Sequence, residues 1–346
     1  MSLITYLTRI HFADRALEDA LPSEMTRHQI SRPLLIASES TTQSDALDRL
    51  LDTIPATIAP ATFVLPDTSE TTVDRARVIA LLAEAESDGI VAFGGLRALD
   101  LARTVSRRQV PVITIPTRTN SVGLGPLGQS VKGVPSLRAD LPVAVLCDAT
   151  LTLDAGPLTT AAAGMDALVH CLESYLSTTF NPPADGIALD GLRRAVVNLE
   201  QAVQDGTDIA ARREMLIAAL DAGLAGEKGF GGIEAAAHGL ESVFDARHGV
   251  LHSALVSEFL AFNAPAVSDR FTVLREVLGL PEGADLADAL SRLGHRVGLP
   301  LRLSEIGVDA ALVPTAARTA AADPSSRTNP RHVTERDYER IMRAAL

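Results

Sequence analysis

An α/β N-terminal domain on a parallel sheet, followed by an all-α C-terminal domain, is the fold class that three observations predict. Short apolar runs alternate with helical spacings up to about residue 154, Ala/Leu-rich helical segments follow, and the chain is 346 residues long. Single cores stop growing near ~250 residues, so a chain of this length is expected to divide. The boundary is placed at residue 154, giving domains 1–154 and 155–346.

The alternation starts at Pro33. PLLIAS is an apolar run, SDALDRLLDTI has helical spacing, ATFVLP is a second run, and TVDRARVIALLAEAESDG is a long helix. GIVAFGG, a helix through RALDLARTVSR, VPVITIP and a last run in LPVAVLCD continue the pattern. Runs this short and this rich in Val, Ile and Leu suit strands buried on both faces, which favours a parallel sheet covered by helices.

Beyond Asp154 the segments PLTTAAAGMDALVHCLESYLS, DGIALDGLRRAVVNLEQAVQ, ARREMLIAALDAGLAG and GGIEAAAHGLESVF read as helices, and no further strand is convincing. The tail SSRTNPRHVTERDYERIMRAAL reads as a proline-bearing loop and a final helix. A cleft between two such domains is the expected ligand site.

Composition narrows the function classes. Apolar residues make up 47% of the chain and charged residues 21%, with no Trp, so aliphatic side chains must fill the core. A net charge of −12 with interspersed signs argues against nucleic-acid or anionic-membrane partners. Cys147 and Cys171 are too few and too far apart for a disulfide framework or a CxxC site, and are read as buried thiols. No run reaches ~18 apolar residues and no leader pattern opens the chain, so a cytoplasmic location is expected.

Two features point to a dinucleotide. In VAFGGLRALDLAR a strand runs through Gly94 and Gly95 into a helix, where glycines admit a phosphate to the backbone and the helix N-terminus favours an anion. The same pair also serves as a plain tight connection. Glu39, at the end of the first strand read, can accept hydrogen bonds from a ribose diol and repel a 2′-phosphate, or can be a solvated loop residue.

The strongest local signal is GMDALVHCLE. Asp166 and His170 are four residues apart, so one helical face presents a carboxylate and an imidazole, either as ligands of a divalent ion or as a buried hydrogen bond. In IEAAAHGLESVFDARHGVLH, Glu234 and His238 repeat that spacing, as do His248 and His252. Burying such groups among Ala, Gly and Val requires partners or a metal, which favours a shared metal or catalytic site. His252 is the member most easily read as a core histidine.

These segments resemble the iron-containing alcohol dehydrogenase family, and within it the maleylacetate reductase branch. VAFGGLRALDLAR looks like the family's pyrophosphate loop and following helix, VITIPTRTNSVGLGPLG like its second cofactor loop, and DATLTLDAGPLTTAAAGMDALVHCLESYLS like its long signature. IEAAAHGLESVFDARHGVLHSAL is similar to its histidine-rich segment, and LPLRLSEIGV with TNPRHVTERDYERIM to its ending. The resemblance implies a dehydroquinate synthase-like architecture with a Rossmann-like first domain, a homodimer, and NAD(H) or NADP(H) as cofactor, NAD being favoured by Glu39.

Residue by residue, the resemblance implies Asp166, His170, Glu234 and His248 as ligands of a divalent metal, iron or zinc in the metal-dependent branch, whereas maleylacetate reductases are commonly regarded as working without one. Glu234 stands where the family usually has a histidine. It implies catalytic roles for His238, which matches a histidine lining the nicotinamide and substrate site, and for His252, which matches one in the maleylacetate reductase branch. Arg247 is the candidate for holding an anionic substrate group, or pairs with Asp245 or a nearby glutamate. Gly94, Gly95, Asp100, Thr117, Thr119, Asn120 and Ser121 complete the expected cofactor surface with Glu39.

Three functions follow from this reading. The first is reversible hydride transfer between a nicotinamide and a carbonyl or alcohol carbon. Leu96 and Arg97, where the family has glycine and serine, and the altered second loop motivate a metal-dependent lyase, cyclase or isomerase as the alternative. A ligand-binding relative without catalysis is the third.

Overall fold

The computed structural model describes residues 8–42, 44–66, 71–106, 109–120, 122–124 and 141–346. Ser121 lies outside the described residues. The chain splits into two compact units, one spanning Thr5–Ala155 and the other carrying Gly156–Leu346.

The first unit holds six strands: β1 (Arg9–Phe12), β2 (Pro33–Ser38), β3 (Ala61–Leu65), β4 (Gly89–Gly94), β5 (Val112–Pro116) and β6 (Ala144–Cys147). They form one parallel sheet in the order β1-β6-β5-β4-β2-β3. Helices α1 (Ala16–Arg27), α2 (Asp45–Thr53), α3 (Thr71–Glu84) and α4 (Leu96–Ser106) cover it. Alternation along β2 sorts the two faces, because successive strand side chains point oppositely. Leu35 packs with Leu17, Leu21 and Leu50 of α1 and α2, whereas Leu34 and Ile36 pack with Val78 of α3 and Ala98 and Leu101 of α4. The central strands β2, β4 and β5 are buried throughout, in line with the parallel sheet expected from their apolar runs.

The sequence reading starts the sheet at Pro33 and so misses β1 and α1. β1 is four residues long, lies at a sheet edge and is partly exposed, so it carries little apolar signal. α1 contains Pro22, which removes an internal backbone hydrogen bond and masks the helical pattern.

Strand order fixes where a ligand can enter. From β2 the chain crosses to β3 on one side, and from β4 it crosses to β5 on the other. The carboxyl ends of β2 and β4 therefore flank the switch point, the place where open parallel sheets leave a crevice. Ser38 and Glu39 end one side of it, and Gly94 and Gly95 the other.

The second unit is all helical: α5 (Pro157–Leu176), α6 (Pro182–Gln204), α7 (Ile209–Ala225), α8 (Gly232–Glu241), α9 (His248–Asn263), α10 (Ser268–Val277), α11 (Leu286–Arg296), α12 (Val313–Ala322) and α13 (Glu335–Ala344). Helix α5 is buried at every position from Thr160 to Leu176, as a helix apolar all round must be. Gly249, in the first turn of α9, sits against it. A Cβ there would lie 1.9 Å from the Ala162 carbonyl oxygen, so only glycine lets α9 come this close and bring His248 to Asp166. The segment read as one histidine-rich run is broken by residues 242–247 into α8 and α9. Among the described residues no helix is long and apolar enough to cross a membrane. Cys147 and Cys171 are both free and buried, and burial pushes the Cys147 thiol up to about 12.

Candidate active site

Three helices of the second unit each contribute a pair of groups one turn apart: Asp166 and His170 from α5, Glu234 and His238 from α8, His248 and His252 from α9. All are buried except His248, which is half-buried. The Glu234 carboxylate lies at the centre. Its Oε2 faces His170 Nε2 and His248 Nε2, each at 2.9 Å, and His252 Nε2 at 3.1 Å. Its Oε1 faces His238 Nε2 at 3.1 Å. Asp166 Oδ1 stands 3.7 Å from His170 Nε2, 3.8 Å from His248 Nε2 and 3.3 Å from His252 Nδ1.

Outer groups hold this arrangement. Helix α8 lacks a side-chain cap of its own. Instead Glu173, two turns beyond Asp166 on α5, accepts from the amides of Gly231, Ile233 and Glu234 at 2.7–3.0 Å, while Asn329 accepts from that of Gly232. A carboxylate at a helix N-terminus satisfies otherwise orphaned donors and suits the dipole. Asp323 accepts from His238 Nδ1 at 3.0 Å and Glu241 from His248 Nδ1 at 2.8 Å, which directs the Nε2 of each ring inward. Sequence reasoning missed these three carboxylates. Glu173 and Glu241 were within its reach, each seven residues, or two helical turns, beyond a carboxylate it singled out. Asp323 is 85 residues from its histidine and has no local signal.

Burial opposes charge on Asp166, Glu234, His170, His238 and His248, yet these two carboxylates are held low and these three imidazoles high. Burial raises Asp166, but His170, His252 and His248 together outweigh it and its pKa falls below the usual carboxylate range. Glu234 is lowered much further, against the same burial penalty, by His248, His170 and His238. Burial lowers His238, and the Glu234 and Asp323 carboxylates reverse this and raise it to about 10. His170 and His248 are raised in the same way. The centre thus demands positive charge, as protons on its imidazoles or as a divalent cation.

A cation fits the donors. One donor atom from each of Asp166, His170, His248 and His252 lies within 4.8 Å of the others, and Glu234, His238 and His248 form a second such cluster. Asp166 Oδ1 and His252 Nδ1, 3.3 Å apart, are buried and make no well-formed hydrogen bond among the described residues, an arrangement that suits a bound cation. Arg247, beside His248, is exposed and donates to Thr159 Oγ1 at 2.9 Å rather than to Asp245 or a glutamate.

The first unit gathers a different kind of site. Gly94 has φ +149°, and a Cβ on it would lie 2.1 Å from Ser38 Oγ, so β2 and β4 meet at the switch point only through glycine. Ser38 Oγ accepts from the Gly95 amide at 3.1 Å, and the Thr117 amide donates to the Gly94 carbonyl at 3.0 Å. Space above Gly95 is open but for the Arg118 stem, 3.7 Å from an added Cβ. Thr117 and Thr119 are buried with hydroxyls that have no partner among the described residues, Asn120 is half-buried and Glu39 exposed. Asp100 is buried within α4 with its carboxylate 3.1 Å from Arg103 Nη1.

A parallel sheet with a glycine-lined switch point, followed by a helical unit with an acid–imidazole centre, defines a class of dinucleotide- and metal-type enzymes. Within that class the assignment is specific. Residues 14–156 match the model "Iron-containing alcohol dehydrogenase" and residues 160–346 match "Fe-containing alcohol dehydrogenase family, C-terminal". The chain is 32% identical over 389 residues to 4-hydroxybutyrate dehydrogenase of Cupriavidus necator, covering 100% of both chains. It superposes on a 1,3-propanediol oxidoreductase with a TM-score of 0.92 at 25% identity, covering 100% of both, and on maleylacetate reductase from Rhizobium sp. with a TM-score of 0.84 at 25% identity, covering 100% of this chain and 97% of that one. The chain belongs to the iron-containing alcohol dehydrogenase family and is an oxidoreductase of that type.

Proposed function

We propose that the protein interconverts an alcohol and an aldehyde with a nicotinamide dinucleotide, NADH in preference to NADPH, and that its substrate is a short ω-hydroxy or ω-oxo carboxylate. The observation that carries the reading is the convergence of Asp166, Glu234 and four imidazoles in a chain of this family. The dinucleotide is assigned to the switch point, with its pyrophosphate over Gly94 and Gly95, within reach of Thr117, Thr119 and Asn120; Ser121, expected in the same surface, lies outside the described residues. Glu39, across from them, takes the ribose diol and disfavours a 2′-phosphate. Asp100, tied to Arg103, supports α4 beneath that loop.

A nicotinamide dinucleotide bound at the switch point would supply the hydride for a carbonyl carbon, and His238 Nε2 is placed to give the oxygen its proton. A divalent ion, when bound at the acid–imidazole centre, polarises the substrate oxygen. Asp323 holds the opposite edge of the His238 ring, so the ring presents Nε2 as it gives and takes the proton. Arg247 supplies the cation for the substrate carboxylate, consistent with the carboxylate named in the Cupriavidus necator relative. Leu96 and Arg97 motivated a non-redox lyase, cyclase or isomerase, but relatives along the chain named as dehydrogenases and reductases favour redox chemistry.

The test is steady-state reduction of succinic semialdehyde against butyraldehyde, its uncharged counterpart of equal chain length. The expected preference in kcat/KM is at least ~10-fold for the charged substrate, collapsing in Arg247→Ala, as for one charge-assisted contact. Equal use of the two aldehydes removes the anionic-substrate reading, and turnover without nicotinamide removes the redox one.

A further inference from the structure

The acid–imidazole centre offers two candidates for its last ligand, Glu234 and His252, and local geometry separates them. His252 lies on α9 one turn beyond His248 and is fully buried. Its two ring nitrogens face different partners. Nε2 is 3.1 Å from Glu234 Oε2, so this edge of the ring can donate to the carboxylate and turns Nδ1 toward Asp166. Nδ1 is 3.3 Å from Asp166 Oδ1, and neither of these atoms has a hydrogen-bond partner among the described residues. A cation between them would satisfy both atoms.

Glu234 is engaged differently. Both of its oxygens face imidazole nitrogens, Oε1 that of His238 and Oε2 those of three rings. It clusters with His238 and His248, whereas Asp166, His170, His248 and His252 form the other group. The separations of Asp166 Oδ1 from the three imidazole nitrogens of that group, 3.3, 3.7 and 3.8 Å, bracket the ~3.4 Å expected between ligand atoms of a tetrahedral site with ~2.1 Å bonds.

We propose, resting on the metal-assisted reading above, that the ion is held by Asp166, His170, His248 and His252, and that Glu234 is not a ligand but the carboxylate that orients His252 through its Nε2–H. One carboxylate and three neutral imidazoles leave a divalent ion with a net positive charge, making it a stronger Lewis acid than a set with two carboxylates. Glu241 plays for His248 the part that Glu234 plays for His252.

Chelator-stripped full-length protein is titrated with Zn(II) by calorimetry and with Co(II) by its d–d absorption, in the native chain and in His252→Ala, His252→Asn and Glu234→Gln. Melting curves identify variants that fold, and the asparagine variant serves if alanine does not. The proposal expects loss of a ligand to weaken Zn(II) binding by well over ~100-fold in the His252 variants and to change the cobalt band. Glu234→Gln is expected to weaken binding by about 10–100-fold, as for an outer partner, and to leave the band shape intact. The reverse pattern, with Glu234→Gln abolishing the site and His252 variants binding as the native chain does, makes Glu234 the ligand and overturns the proposal. A native chain that binds neither ion overturns it together with the metal-assisted reading, so the native titration separates the two failures.

Discussion

The two units build their sites from different materials. In the first, the switch point is shaped by backbone: Gly94 at φ +149° against Ser38, the Gly95 amide on Ser38 Oγ, and the start of α4. In the second, two carboxylates and four imidazoles are buried on three helices, and the backbone serves mainly to bring them close, as Gly249 does against Ala162. A site for a large anionic cofactor uses many weak, distributed donors, whereas a site that must concentrate charge at one atom uses a few strong ones. Mutations are therefore expected to act on one unit's task without the other's.

The largest expected effect is on the side-chain site. Asp166→Ala leaves Glu234 as the one carboxylate among four imidazoles, and kcat is expected to fall by about 10³-fold, comparable to removing a principal transition-state stabiliser. NADH affinity, measured by fluorescence titration, is expected to stay within about twofold. Loss of NADH binding in this variant erases the distinction between the units.

The converse change is Gly94→Ala. The added methyl meets Ser38 Oγ at 2.1 Å in a backbone conformation that L side chains rarely adopt. A stability loss of about 2–3 kcal/mol is expected in urea unfolding, from overpacking and strain together. NADH binding is expected to weaken with it, and Zn(II) binding to persist.

A smaller effect sharpens the comparison inside the helical unit. Asp221, on α7, is also a largely buried carboxylate, but it faces Asp190 rather than imidazoles, and its Oδ2 lacks a hydrogen-bond partner among the described residues. Burial, then the Asp190 charge, pushes it up to about 7 from 3.8. The folded state thus keeps a proton the unfolded chain has released, so stability falls as pH rises from about 4 to about 7 and is flat above. Asp221→Asn removes the charge and is expected to raise stability above pH 7 by on the order of 1–2 kcal/mol, after allowing for an imperfectly bonded amide, and to give no gain near pH 4. An equal gain at both pH values contradicts the assignment. Asp166 and Glu234 shift the opposite way because imidazoles surround them.

What the sequence reveals follows the same division. Pairs four residues apart are legible because a helix puts them on one face, so all six central residues of the helical site are visible as three pairs. Their meeting is not legible, since α8 and α9 fold back on each other across residues 242–247, and α5 joins them, through packing that a local pattern does not encode. Asp323 has no neighbouring signal at all, and the choice between Glu234 and His252 depends on which ring nitrogen faces Asp166. In the first unit the buried strands β2, β4 and β5 are plain as apolar runs, while β1, a short edge strand, and α1, interrupted by Pro22, are not. Gly94 and Gly95 read as a turn in sequence. Only the strand order shows that they stand opposite Ser38 and Glu39.

The most direct test of the central claim is hydride transfer with and without the ion. Chelator-stripped protein is mixed with NADH and succinic semialdehyde, and NADH consumption is followed before and after one equivalent of Fe(II) or Zn(II). The account predicts little turnover from the stripped protein and recovery at stoichiometric metal. Full turnover from protein shown to be metal-free contradicts it, and assigns the chemistry to the protonated imidazoles around Glu234 alone.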